Sequence, residues 1–302
     1  MNCTVVQETR TGARNMNQDR VGLWRTPQSL LMVVADGLGG HLHGEIAAQV
    51  AVQCFGGAFE HHARPALEAP EQFLSRSMAA AHAAILREAQ RLELPDTPRT
   101  VLVACVVQEG HAHWMHIGDC RLYLVRSGRI VVRTRDHTVL QQLLDEGRIR
   151  EEEITTHPDR HRLLQCLGSL QTPRPAAAQK ARLAKNDRLV LCSDGLWGPL
   201  TQRQLLHSLT TQELKQAIAE LVDLAELRAG PQCDNVSVLA MAWGEDDVAP
   251  VQEPRTIPAH DVPTHIEDFT ATDPDFLRMS DEDIEKAIAE IKAALKTPPT
   301  QQ

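Results

Sequence analysis

The sequence predicts an α+β protein: strands gathered in a meander, with two long helices set between strand groups. Two observations carry this. Short apolar runs end repeatedly in turn dipeptides between residues 30 and 133, and two stretches rich in strong helix formers separate the strand groups. That order favours layered α+β architecture over a parallel βαβ sheet.

Each element has a local reason. Leu30–Ala35 is a continuous apolar run closed by Asp36-Gly37, a buried strand running into a turn. Gly44–Phe59 and Pro70–Leu92 read as helices, the second dense in Ala, Leu, Glu and Arg. Val101–Val107, His111–Ile117, Leu122–Val125 and Ile130–Arg133 read as strands, punctuated by Glu109-Gly110, Gly118-Asp119 and Ser127-Gly128. Between Asp136 and Gly168 the pattern is mixed and holds a helix over Val139–Glu146. Arg188–Ser193 is a strand, Glu213–Arg228 a helix, and Asn235–Trp243 a closing strand. No internal repeat is visible.

The chain divides into a body over residues 1–243, a linker over 244–279 and a helix over 280–297. Hydrophobic residues make up 42% of 302 positions, enough for one large core. Five prolines from Pro250 to Pro274 break the linker. Ser280 can cap the final helix, and Ile284, Ile288, Ile291 and Leu295 form one apolar stripe. Such a helix docks either on this body or on a partner. From Glu245 onward there are 14 acidic and 5 basic residues, so the tail carries the whole formal charge of −9 and the body is balanced. A balanced body lacks the basic face that nucleic-acid binding needs. No run reaches membrane-span length and no secretory signal is visible, so no membrane association and a cytoplasmic location are expected. Seven scattered cysteines without a Cys-x-x-Cys pair suit a reducing compartment.

The chemistry lies in aspartates at strand tips: Asp19, Asp36, Asp194 and Asp234. A buried carboxylate is costly unless something pairs with it. Several together point to hard cations held by oxygen, and so to a dimetal hydrolase. Five strings occur in order: Arg14 with Gln18-Asp19, Asp36-Gly37-Leu38-Gly39-Gly40-His41, Gly118-Asp119-Cys120-Arg121, Ser193-Asp194-Gly195-Leu196-Trp197, and Asp234-Asn235. Over residues 1–243 the chain resembles the metal-dependent serine/threonine protein phosphatases of the protein phosphatase 2C family, bacterial type.

The resemblance implies an αββα sandwich of two antiparallel sheets flanked by helices. It implies two Mn²⁺ or Mg²⁺ ions at one end, with the Asp36 carboxylate bridging, the Gly37 carbonyl assisting, and Asp194 and Asp234 completing the second ion. Asp19 lies in or just behind that set, with a salt bridge to Arg20 as its alternative. Arg14 matches the family's phosphate-binding arginine, and its fork suits a phosphate dianion. Asp119 matches an aspartate that holds a third, weaker ion with the one at Asp194, the alternative being a structural turn. The implied reaction is in-line attack by a dimetal-bridging hydroxide on phosphoserine or phosphothreonine, without a phosphoenzyme. The implied partners are phosphorylated proteins and an opposing Ser/Thr kinase.

Four departures stand out. Gln18 replaces a frequent Glu, Pro98-Arg99-Thr100 replaces Gly-Thr-Thr, Gly198 replaces an Asp, and Leu38 occupies the place of a histidine found in some relatives. The Gln18, Gly198 and Pro98-Arg99 changes lend some weight to a pseudophosphatase that binds phosphoproteins without turnover. His41 and His43 read as helix-start or packing histidines, with a general-acid role as the alternative. Asp136-His137-Thr138 resembles the lead-in to a mobile flap, here Gln141–His161, whose acidic residues read as a solvated face. Thr264, Thr270 and Thr272 each precede an acid by three positions; a phosphothreonine there would suit a forkhead-associated module, while the plain reading is a solvated linker.

Overall fold

The computed structural model describes residues 1–39, 43–150, 153, 157–160, 162–244, 286, 288–290 and 293. In chain order it holds β1 (Cys3–Arg10), β2 (Arg20–Arg25), β3 (Ser29–Gly37), α1 (Gly44–His62), α2 (Pro70–Arg91), β4 (Thr100–Gln108), β5 (His111–Ile117), β6 (Arg121–Arg126) and β7 (Arg129–Arg133). There follow α3 (Val139–Asp145), β8 (Gln179–Arg182), β9 (Arg188–Cys192), α4 (Asp194–Trp197), α5 (Gln202–Thr211), α6 (Leu214–Ala229) and β10 (Val236–Trp243).

Two five-stranded antiparallel sheets face each other, in the orders β1-β10-β9-β6-β7 and β2-β3-β4-β5-β8. The two-residue period of a strand builds three apolar layers. In β3, Leu30, Met32 and Val34 point between the sheets, where they meet Leu189, Leu191, Leu239 and Met241. Leu31, Val33 and Ala35 point outward onto Phe55, Phe59, Leu74 and Met78 of α1 and α2. On the other side Val190, Cys192, Val236, Val238 and Ala240 pack under Leu205 of α5 and Leu221 and Val222 of α6. The result is the expected αββα sandwich.

The long elements lie within a few residues of their sequence reading. Five shorter ones were not legible, among them the one-turn helix α4 that follows directly on β9. β1 and β2 are modestly apolar and take their strand form from β10 and β3. β8 is a four-residue edge strand with three exposed positions. α5 starts at a capping box, Thr201 with Gln204, inside a stretch of low apolar content.

One packing detail fixes the β2–α1 contact. The Trp24 indole lies over Gly22 and Gly56, and a Cβ on either glycine would overlap its ring. All seven cysteines are free thiols, and six are buried. Ile288, 5% exposed, belongs to the same buried cluster as Phe55 and Leu74, while its helical neighbours Lys286, Ala289 and Glu290 are exposed. The rest of the linker and the terminal helix lies outside the described residues. No helix among the described residues is long and apolar enough to cross a membrane.

Candidate metal centre

Every sequence-predicted site residue falls at one end of the sandwich. Asp36 and Gly37 end β3, Asp19 precedes β2, Asp119 sits in the β5–β6 turn, Asp194 opens α4, and Asp234 precedes β10. Antiparallel pairing brings these tips together. Gly37 and Gly44, where α1 begins, are both required by space: a Cβ on Gly37 would overlap the Gly44 carbonyl, and a Cβ on Gly44 would come 2.7 Å from the Gly37 carbonyl carbon. The backbone around Asp36 is pinned as well. Thr100 Oγ1 donates to the Asp36 carbonyl at 2.7 Å, and Leu38 N–H donates to Arg99 O at 3.0 Å.

The carboxylates feel one another. Asp36 is only half-buried by area, yet desolvation, then the charges of Asp19, Asp194, Asp119 and Asp234, hold its carboxyl well above the ordinary range. Asp119, 8% exposed, is raised by burial first and then by Asp194 and Asp136, against the pull of Arg121. Burial pushes Asp19 up to about 7; hydrogen bonds from Ser193 and Ser237 oppose this, and the charges of Asp194 and Asp234 add to it. Such mutual repulsion in a buried cluster needs positive charge for all members to ionise.

Asp19 is not paired with Arg20 through its carboxylate. Arg20 donates to the Asp19 and Asn17 carbonyls and to Gln49 Oε1. Instead Ser193 Oγ donates to Asp19 Oδ2 at 2.7 Å, and buried Asp19 Oδ1 has no hydrogen-bond partner. An orphaned carboxylate oxygen within a ring of acidic groups fits a hard cation. The donor set fits Mn²⁺ or Mg²⁺: Asp19, Asp36, Asp119, Asp194, Asp234 and the Gly37 carbonyl are all oxygen. Among the described residues, however, no three acidic or imidazole side chains close on one point as a finished cage. Asp234 is turned to Arg14, whose Nη2 lies 2.6 Å from its Oδ2. Arg14, 55% exposed in its side chain, therefore stands at the rim of the cluster and within reach of the charges of Asp194 and Asp36.

Several supporting residues went unread in the sequence. Glu45 accepts from Gln18 Nε2 at 3.0 Å, so a carboxylate stands beside the uncharged Gln18. Asn235 accepts from Gln18 N–H at 2.7 Å and donates to Thr11 O and Met16 O, which sets the loop carrying Arg14. Adjacency to Asp194 and Asp234 was the available signal for Ser193 and Asn235; Glu45 had none. His43 begins α1 in the left-handed conformation, its Nδ1 3.4 Å from Glu45 Oε1, as a helix-start histidine; His41 lies outside the described residues. Gly198 caps α4, its N–H on Asp194 O at 2.7 Å. In the flap segment, Asp145 pairs with Arg135 and Glu146 with Arg148, all facing solvent, so that acidic run is a solvated face where it is described.

A fold of two antiparallel sheets under paired helices, with aspartates at one set of strand tips, defines a class of metal-dependent phosphatases. Residues 7–227 match the family model of protein phosphatase 2C, and the chain belongs to that family. Among curated relatives, it is 32% identical over 209 residues to the "Serine/threonine protein phosphatase PstP" of Mycobacterium tuberculosis, covering 69% of this chain and 39% of that protein. The chain thus spans well under half the length of that relative. It is 29% identical over 237 residues to a "Putative protein phosphatase 2C-type" of Streptococcus pyogenes, covering 78% of this chain and 95% of that one. Among solved structures, the catalytic domain of PstP "in complex with 2 Manganese ions" superposes with a TM-score of 0.68 at 28% identity, covering 80% of this chain and 98% of that one.

Proposed function

We propose that the chain is a serine/threonine protein phosphatase that requires two Mn²⁺ or Mg²⁺ ions, with a third binding more weakly at Asp119 and Asp194. The observation that carries this is the cluster itself: carboxylates from separate elements gathered at one end, with the Asp36 and Asp119 carboxyls raised by burial first and by neighbouring acids second. Asp36, the Gly37 carbonyl, Asp194, Asp234 and Asp19 are the groups that would hold the ions. When bound, two such ions lower the pKa of water and neutralise charge on a phosphoryl group.

The chain's own residues do the rest. Arg14 at the rim binds the phosphoryl oxygens; its guanidinium is always charged, and its exchange from Asp234 to substrate needs only a side-chain rotation. Ser193 holds Asp19 by one oxygen and leaves the other buried without a hydrogen-bond partner. The Thr100 hydroxyl and the Arg99 carbonyl fix the backbone on either side of Gly37, and so aim the Asp36 carboxylate. The Gln18 departure is offset by Glu45, which weakens the case for a pseudophosphatase.

Phosphoserine and phosphothreonine proteins are the substrate class, an opposing Ser/Thr kinase is the expected partner, and a reader of tail phosphothreonines is a further one. The reading is tested with phosphothreonine peptide and Mn²⁺. Hydrolysis is expected, lost with chelator and reduced about a hundred- to a thousandfold in Asp36→Asn and Asp194→Asn, the scale of losing an electrostatic element of a transition state. A chain inert across peptides and metals overturns it.

A further inference from the structure

The Gly-Asp-Cys-Arg turn is held from outside by a brace that the family motifs do not explain. Trp197, the last residue of α4, donates its indole Nε1–H to the backbone carbonyl of Asp119 at 3.0 Å. The Arg121 guanidinium carbon lies over the same ring, 3.3 Å from its centroid. Arg121 then forks onto Asp136, with Nε 2.9 Å from one carboxylate oxygen and Nη2 2.6 Å from the other, and its Nη1 donates to Tyr123 Oη at 3.0 Å. Arg121 and Asp136 are both mostly buried, their side chains 14% and 8% exposed.

Two more bonds close the frame. His137 N–H donates to Gly118 O at 2.9 Å, and Gly118 N–H donates to His137 Nδ1 at 3.2 Å. Gly118 has a φ of 88°, the left-handed region that favours glycine, and packs so close to Val101 that a Cβ there would overlap its side chain. Every bond to its backbone therefore helps set the direction of the Asp119 side chain.

Resting on the phosphatase reading, we infer that Trp197 and Arg121 are positioning residues for Asp119: the indole N–H and the stacked, forked guanidinium aim that carboxylate toward Asp194 and the weaker cation. They do not touch substrate. Asp194 and Trp197 begin and end the same one-turn helix, so α4 presents one acid of the pair and steers the other. A planar cation forked onto a carboxylate and set over an indole is a pairing that lysine does not reproduce.

The test is Mn²⁺ binding by the full chain, followed by calorimetry and by the manganese paramagnetic resonance signal, with peptide turnover on the same samples. Trp197→Phe keeps a ring under Arg121 and removes only the N–H. It is expected to keep the two tight ions and the thermal midpoint, and to weaken the third ion about ten- to hundredfold, the range for losing an outer-shell bond. Arg121→Lys is expected to weaken the third ion likewise but also to lower the thermal midpoint, because buried Asp136 loses its fork, and Trp197→Phe combined with Asp119→Asn to lose no more than Asp119→Asn alone. A third ion bound equally by chain and Trp197→Phe, or only two ions bound by the unmodified chain, overturns the inference. Turnover separates the two readings: a chain inert toward peptide but with a Trp197-sensitive third ion loses the phosphatase and keeps the positioning.

Discussion

Asp19 shows how a single side chain reports on the whole site. Burial and neighbouring charges push its carboxyl up to about 7, whereas an unfolded aspartate titrates near 4. A raised carboxylate destabilises the fold wherever the unfolded chain has already released its proton and the folded chain has not. In chelator, Asp19→Asn is therefore expected to gain stability relative to the parent as pH rises from about 4 to about 7, and to hold that gain above. His137, pushed down to about 4 by burial and by His116, works in the opposite sense over the same window, so the two chains must be compared at each pH. Thermal midpoints at pH 5 and 8 check this; a constant difference between the chains sinks it. Added Mn²⁺ is expected to erase the gain, because a cation stabilises the ionised form.

At the scale of elements, α1 carries two duties. Its first residue, Gly44, lies against Gly37 beside the acidic cluster, and its middle seats Trp24 of β2 on Gly56. Alanine at Gly56 would gain up to about 1 kcal/mol of helix propensity, but the added methyl enters the space of a ring that is 7% exposed. Overpacking of that kind costs about 1–3 kcal/mol, so Gly56→Ala is expected to be a net loss. Urea unfolding decides, and an unchanged midpoint would falsify the packing argument. The short helix α4 is the other element with two duties, since its first residue is a site acid and its last braces Asp119.

For the whole molecule, the open matter at the sequence level was where the terminal helix goes. Ile288 lies in the α1–α2 layer, with exposed Lys286 and Ala289 on either side of it, so this residue of the stripe is seated on the chain's own body. Full burial of an isoleucine contributes about 1.5–3 kcal/mol. Ile288→Asp is expected to lower amide-exchange protection around residues 286–293 by roughly ten- to hundredfold, with the sandwich intact. Unaltered protection there would place the helix elsewhere.

What the sequence determined by itself was whatever depends on local pattern. Apolar runs such as Leu30–Ala35 and the helix formers of Pro70–Leu92 declare their elements, because burial and propensity act over a few residues. The five aspartate strings declared the family and its acids. Tertiary structure alone decided the rest. β1 and β8 exist because a neighbouring strand supplies hydrogen bonds that their own residues do not demand. Glu45 stands beside Gln18, Ser193 under Asp19, and Trp197 against Asp119 across 27, 174 and 78 positions of chain. Contacts at such separation follow from how antiparallel strand tips are brought to one end, and no local spacing encodes them.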